Sequence, residues 1–163
     1  MKLEKLFILQ KNLDSHIEAK HDLHGEDLFN RKVLALLVEV GELANETRCF
    51  KFWSIKASSA KNVILEEFVD GIHFILSLGN ECGFNEHSFK LHSEPFFLDV
   101  NEQFLDVYVK IGSFQKSKTL MEYVGLFESY MQLASQLGFT NEEIEKAYLM
   151  KNEVNYQRQE NNY

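Results

Sequence analysis

The chain has 163 residues, 45% of them hydrophobic, a formal net charge of −8 at pH 7 and only two cysteines. This length fits one globular domain over residues 1–163, and two cysteines are too few for a disulfide framework, so we expect Cys49 and Cys82 to be buried thiols in a reducing, cytoplasmic setting. The acidic balance disfavours binding to nucleic acid, whose phosphates require clustered basic residues, and we expect neither a membrane span nor a signal peptide because no apolar run is long enough.

Helical periodicity dominates the chain, which contains one proline and eight glycines. The first predicted helix covers residues 2–19, where leucines recur at helical spacing. The following predicted helices cover residues 28–52, 60–82, 99–114, 117–137 and 141–159. Thr140 and Glu143 form a capping box before the last helix, and Pro95 interrupts a segment with a weaker pattern. The sequence therefore predicts an all-α helical bundle.

Acidic residues share one face on each of the second and third predicted helices. Glu39, Glu42 and Glu46 fall within about 60° of one another at about 100° per residue, on a helix that is apolar nearly all round. The third helix repeats this pattern: Glu66, Asp70 and His73 share one face, and Glu67 stands three residues before Asp70. The link between the helices is short, so we expect an antiparallel hairpin in which the two acidic faces meet.

Carboxylates that are buried together need a counter-charge, because burial of an unpaired ion costs on the order of several kcal/mol. Ligands that are all oxygen suit a hard cation, and Mg²⁺ fits a partly open cleft that receives phosphate. We therefore predict a divalent-metal site formed by Glu39, Glu42, Glu67 and Asp70. A solvated acidic stripe is the simpler alternative. A di-iron site is less favoured, because Asp70 to His73 is the single near match to its Glu-x-x-His motif.

Lys151, Asn155 and Arg158 lie on one face of the last predicted helix. Two cations with an amide between them form an edge suited to phosphate oxygens. The alternative is a solvated helix end, where the helix dipole favours basic residues. An acidic metal site nearby strengthens the phosphate interpretation, because a triphosphate would bridge both features.

Aromatic residues lie close to both acidic motifs in the sequence. Lys51 and Trp53 follow the glutamates, and His73 and Phe74 come one turn after Asp70. Trp53 or Phe74 is suited to stacking on a base, and His73 to a hydrogen bond with its edge. The alternative for each residue is ordinary core packing.

These residues resemble a known superfamily. Glu39-Val-Gly-Glu42 and Glu67-Phe-Val-Asp70 resemble the paired ExxE and ExxD motifs of the all-α nucleoside triphosphate pyrophosphatases. The wider context resembles the dimeric dUTPase branch, through Leu9-Gln10, Phe50-Lys51-Phe52-Trp53, Asp70-Gly-Ile-His73-Phe74, Lys151-Asn152, Asn155 and Arg158-Gln159. The resemblance covers nearly the whole chain and is weakest over residues 85–120.

The resemblance implies a helical homodimer that hydrolyses dUTP, and commonly dUDP, to dUMP with Mg²⁺. By analogy, the magnesium ligands are Glu39, Glu42, Glu67 and Asp70, and one of these acids also orients the attacking water. The residues that neutralise phosphate oxygens are, by the same analogy, Lys151, Arg158 and Lys51. Those that line the nucleoside pocket are Gln10, Trp53, His73, Phe74 and Asn155.

The chain departs from the family pattern near its end. Family members often continue past the Arg-Gln pair with a glycine-tyrosine step and a basic tail, whereas here Asn162 takes the place of the glycine and Tyr163 is last. Weaker closure over the nucleotide is therefore expected.

The motif does not require Glu46, for which we predict an outer position beside the metal ligands. A broader nucleotide pyrophosphatase, or a non-catalytic helical dimer that binds a nucleotide or a protein, remains the alternative.

Overall fold

The computed structural model describes residues 1–85, 87–92 and 98–161. Across these residues it contains six α-helices and no strand. The helices are α1 (Leu3–Lys20), α2 (Phe29–Thr47), α3 (Lys61–Glu81), α4 (Val100–Ser117), α5 (Leu120–Gln136) and α6 (Asn141–Glu160). The all-α prediction is confirmed, as is the capping box of Thr140 and Glu143. Three residues used in the predictions, Pro95, Asn162 and Tyr163, lie outside the described residues.

The second helix ends earlier than predicted. Residues 48–52 were expected to be helical, but α2 ends at Thr47 and Arg48 adopts a left-handed conformation with φ of 59°. The Arg48 guanidinium then donates hydrogen bonds to the Ser54 hydroxyl at 2.6 Å and to the Lys56 carbonyl at 3.1 Å. These contacts stabilise a loop, so the aromatic segment 50–53 does not continue the helix.

α3 is the central helix, since it packs against α1, α2, α5 and α6. Two buried tyrosines of α5 donate their hydroxyls to its backbone: Tyr130 to the Phe68 carbonyl at 2.9 Å and Tyr123 to the Ile75 carbonyl at 3.1 Å. Gly71 makes room for the first of these contacts, because a Cβ atom there would lie 2.1 Å from the Tyr130 hydroxyl oxygen. These contacts hold the helix that carries the second acidic motif against the core.

A helix that is apolar nearly all round is expected to be buried, and this expectation is wrong for α2 in the single chain. Leu34 and Val38 of α2, and Leu105 and Val109 of the adjacent α4, are between 49% and 66% exposed. We call these four residues the outer apolar face. The prediction failed because it assumed that one chain covers all of its own apolar surface. None of the helices in the described part of the chain is long and apolar enough to cross a membrane.

Candidate functional site

α2 and α3 place three of the four predicted metal ligands together. The carboxylates of Glu39, Glu67 and Asp70 each offer an oxygen, and these oxygens lie within 4.8 Å of one another. The helices are antiparallel, as predicted. Ser59, just before the start of α3, bonds to Glu46 near the end of α2. Asp70, in the middle of α3, lies close to Glu39, which is seven residues earlier in α2. Reversed chain direction thus brings the two motifs face to face.

The other two glutamates of α2 lie at the edge of this cluster. Glu42 is exposed and is not part of the close trio, although its negative charge raises the pKa of both Glu39 and Glu67. Glu46 accepts a hydrogen bond from the Ser59 hydroxyl, and its backbone carbonyl accepts one of 3.0 Å from the Ser59 amide. Glu46 therefore fastens the α2–α3 loop, and its role near a metal stays a prediction.

The carboxylates of the trio are hard to ionise together. Burial, followed by the charges of Asp70, Glu42 and Glu67, raises the pKa of Glu39 to about 7. Burial also raises the pKa of Glu67, with Asp70 as the next cause. A cation placed among these oxygens would relieve the repulsion, and an all-oxygen set that is partly open fits a hard divalent ion. The residues present therefore fit a site for a hard divalent cation.

Lys151 of α6 supplies a positive charge to the acidic cluster. Lys151 is 8% exposed, and its Nζ lies 2.7 Å from Asp70 Oδ2 and 3.0 Å from Glu66 Oε1. Burial raises the pKa of Asp70, although Lys151 opposes that shift. The sequence predicted Lys151 as a phosphate ligand, and in this structure its ammonium group forms ion pairs with Asp70 and Glu66. The predicted face of α3 that includes Glu66 and Asp70 is thus the face that Lys151 of α6 contacts.

A cleft of about 300 Å³ opens beside the cluster, between α1, α2, α3 and α6. Seven predicted site residues line it: Gln10, Glu39, Asp70, His73, Phe74, Asn155 and Arg158. The cleft is also lined by Asp14, Lys32 and Ser77, which the sequence reasoning missed. Helical spacing was the signal for two of them, because Asp14 follows Gln10 by four residues and Ser77 follows His73 by four, whereas Lys32 had no such signal.

Three predicted substrate ligands are not among the residues that line this cleft: Lys151, whose contacts with the acids are given above, and Lys51 and Trp53. Lys51 donates a hydrogen bond to Asn45 Oδ1, and Trp53 is exposed, with its ring packed edge-on against Phe52 at 5.0 Å between centroids. Both residues lie in the loop that follows α2. Their proposed contacts with a nucleotide therefore stay predictions.

His73 is a buried part of the cleft wall. Its ring is 5% exposed and is stacked on the ring of Tyr148, with 4.1 Å between centroids. Burial lowers the pKa of His73 to about 3, so the ring is neutral near pH 7. A neutral imidazole can both donate and accept a hydrogen bond.

Comparison with known proteins adds one match. A protein-family model described as dUTPase matches residues 2–163. The matched region includes both acidic helices, the cleft and α6. A search of curated proteins found no match for this chain.

Proposed function

We propose that this chain, which belongs to the dimeric all-α dUTPase family and is a dUTP diphosphatase, uses Mg²⁺ to hydrolyse dUTP to dUMP. We propose that it also cleaves dUDP to dUMP. Pyrophosphate is released from the triphosphate and phosphate from the diphosphate. The observation that carries this proposal is the trio of carboxylates of Glu39, Glu67 and Asp70 at one side of a cleft that also contains His73 and Arg158. This arrangement supports a reaction at phosphates whose nucleoside lies in the same cleft.

Mg²⁺ would be held by Glu39, Glu67 and Asp70, with Glu42 at the exposed edge. When bound, it supplies Lewis-acid chemistry, which offsets negative charge on the phosphates and makes water a better nucleophile. One carboxylate of the set orients the attacking water and accepts its proton.

The remaining cleft residues bind and orient the nucleotide. Arg158 faces the phosphates, and Lys151 neutralises them once its contact with Asp70 is exchanged for a phosphate oxygen. Gln10, His73, Phe74 and Asn155 surround the base and sugar. We retain Lys51 and Trp53 as additional nucleotide contacts from the loop after α2.

We also propose a homodimer formed through the outer apolar face. Four large apolar side chains on two adjacent helices are an unusual surface for a monomer and are typical of a protein interface. The partner that fits them is a second copy of the chain, because a face of this kind on both protomers is complementary to itself around a two-fold axis.

The activity test compares nucleotides under identical conditions. We expect dUTP to give dUMP and pyrophosphate with Mg²⁺, no product when EDTA removes the metal, and no turnover of dTTP or dCTP. Equal turnover of all three nucleotides would instead identify a broad nucleotide pyrophosphatase. Glu39→Gln should lose metal binding and rate together, whereas a non-catalytic binding protein would keep its nucleotide affinity in that variant.

A further inference from the structure

Polar side chains from α1, α3 and α6 form one hydrogen-bonded chain along the cleft wall. Asp14 accepts hydrogen bonds of 2.7 Å at each of its oxygens, from Gln10 Nε2 at Oδ1 and from the Ser77 hydroxyl at Oδ2. Gln10 Oε1 lies 2.7 Å from His73 Nδ1, and it also accepts a 2.9 Å bond from the Tyr148 hydroxyl. Asp14 is thus connected to His73 through the amide of Gln10.

Asp14 determines the direction of these bonds. A carboxylate accepts at both oxygens, so Gln10 turns its NH₂ group to Asp14 and its carbonyl oxygen to His73. That carbonyl can only accept, so the hydrogen of the neutral imidazole is on Nδ1. The lone pair of the ring is then on Nε2. Burial raises the pKa of Asp14, but the bonds from Ser77 and Gln10 oppose the shift.

His73 Nε2 is left without a partner among the residues that the structure describes, and it is buried. A buried acceptor without a donor is unfavourable, and native proteins retain one where a ligand or a water supplies the donor. We propose that Asp14 is a positioning residue which, through Gln10, holds His73 in the Nδ1–H tautomer, so that Nε2 accepts a hydrogen bond from an N–H group of the bound base.

This tautomer favours one class of pyrimidine. Uracil carries a hydrogen on N3, whereas N3 of cytosine is itself an acceptor, so His73 Nε2 would pair with the first and repel the second. A site that leaves its buried polar atom unpaired rejects the wrong substrate strongly. The choice of base rests on the proposed function, but the tautomer of His73 rests on the contacts of this chain alone.

Nitrogen-15 NMR of histidine-labelled protein tests the tautomer directly. In the full-length protein without nucleotide near pH 7, we expect the His73 signals to show a protonated Nδ1 and an unprotonated Nε2. The signals are assigned by their loss in His73→Gln. A hydrogen on Nε2, or a doubly protonated ring, would overturn the proposal whatever the protein hydrolyses.

Substitution of Asp14 tests its positioning role. Asp14→Ala frees the Gln10 amide to turn over, so the fraction of His73 with a hydrogen on Nε2 should rise. Asp14→Asn should restore the wild-type signals, because its amide oxygen still accepts from Gln10. Glu18→Ala is the matched control, since Glu18 is on the same helix and lines the same cleft but contacts Lys32. An unchanged tautomer in Asp14→Ala would refute the role of Asp14.

A second variant keeps the test decisive if Asp14→Ala does not fold. Gln10→Ala removes the hydrogen-bond partner of His73 Nδ1 itself. The fraction of His73 with a hydrogen on Nε2 should therefore rise as it does in Asp14→Ala. Retention of the Nδ1–H form in folded Gln10→Ala would overturn the proposal.

Selectivity measurements separate positioning from general damage. Asp14→Ala should lower the ratio of kcat/KM for dUTP to that for dCTP by about 10-fold or more, and Asp14→Asn should recover it. Equal losses on both nucleotides would indicate a merely structural role and count against the proposal. If the wild type does not prefer dUTP, the proposed function fails, while the NMR result still decides the tautomer.

Discussion

Glu39 connects the charge of the cluster to the stability of the metal-free protein. Its pKa is about 7 in the folded chain, against an ordinary value of 4.5, because burial and neighbouring acids oppose ionisation. Since the folded value is the higher one, the contribution of Glu39 to stability is full below about pH 4.5 and is lost as the pH rises through about 7. His73 acts in the opposite direction, because its lowered pKa removes stability as the pH falls below 6.5. A comparison with one variant is therefore needed to isolate Glu39.

We expect Glu39→Gln to raise the melting temperature of the metal-free protein at pH 8 and to change it little at pH 5. The reason is that glutamine removes a charge which is present only at the higher pH. Thermal unfolding in EDTA at both pH values measures this effect. Added Mg²⁺ should stabilise the wild type at pH 8 and stabilise the variant much less. An equal difference in melting temperature at the two pH values would contradict the assignment.

Lys151 provides the second prediction at this scale. Lys151→Met leaves Asp70 partly buried without its 2.7 Å ion pair, so the metal-free protein should lose on the order of 3 kcal/mol in the free energy of unfolding, the lower end for a broken buried pair. Urea unfolding in EDTA measures the loss. Mg²⁺ should restore more stability to this variant than it adds to the wild type, because it replaces the missing charge.

The control for this prediction is Lys146→Met on the same helix. Lys146 is exposed, so this substitution should stay within about 0.5 kcal/mol of the wild type. Similar losses in both variants would show that the charge of α6 as a whole, and not the contact with Asp70, is what matters.

The contact between α3 and α5 determines how well the acidic helix is held in place. A Cβ atom on Gly71 would displace Tyr130, which bonds to the Phe68 carbonyl and stacks on the Phe68 ring at 4.5 Å between centroids. We expect Gly71→Ala to cost about 1–3 kcal/mol in the free energy of unfolding, as overpacked core positions do. Mg²⁺ affinity should fall as well, because Asp70 is the neighbouring residue. Calorimetric unfolding and metal titration measure the two effects.

Gly125→Ala is the matched control for this substitution. Gly125 is inside α5, and a Cβ atom there would meet nothing within 4 Å. Alanine should therefore stabilise the helix by about 0.5–1 kcal/mol. If Gly71→Ala behaved like this control, the contact with Tyr130 would not constrain α3.

Helices α1 to α5 were predictable from apolar residues at helical spacing, whereas α6 has almost no apolar period and was predictable from the capping box of Thr140 and Glu143 at its start. The end of α2 was not predictable, since the apolar pattern continues into the aromatic segment and Arg48 ends the helix through partners several residues later. At the site, the spacing of the two motifs was enough to predict that Glu39 and Asp70 lie close together. The position of Lys151 over the acids depends on how α6 packs against α3, which no local pattern specifies.

At the scale of the whole molecule, the outer apolar face predicts a dimer that a single charged substitution on this face should dissociate. Val38→Asp or Leu105→Asp should convert the protein from dimer to monomer at micromolar concentration, because an aspartate buried in an apolar interface lacks a partner. Size-exclusion chromatography with light scattering measures the mass. The exposed Met150 on α6 offers the control, and Met150→Asp should remain dimeric. A monomeric wild type would refute the proposed interface.

α3 joins the acids of the cluster to the centre of the core, because it packs against four other helices and bonds to two tyrosines of α5. Its central amides, around residues 68–78, are covered on nearly every side. Hydrogen exchange at such amides requires global unfolding, and not a local fluctuation. The backbone that carries Asp70 should therefore stay folded for as long as the whole fold does, and in the proposed function a nucleotide would meet a cleft whose central wall is already formed.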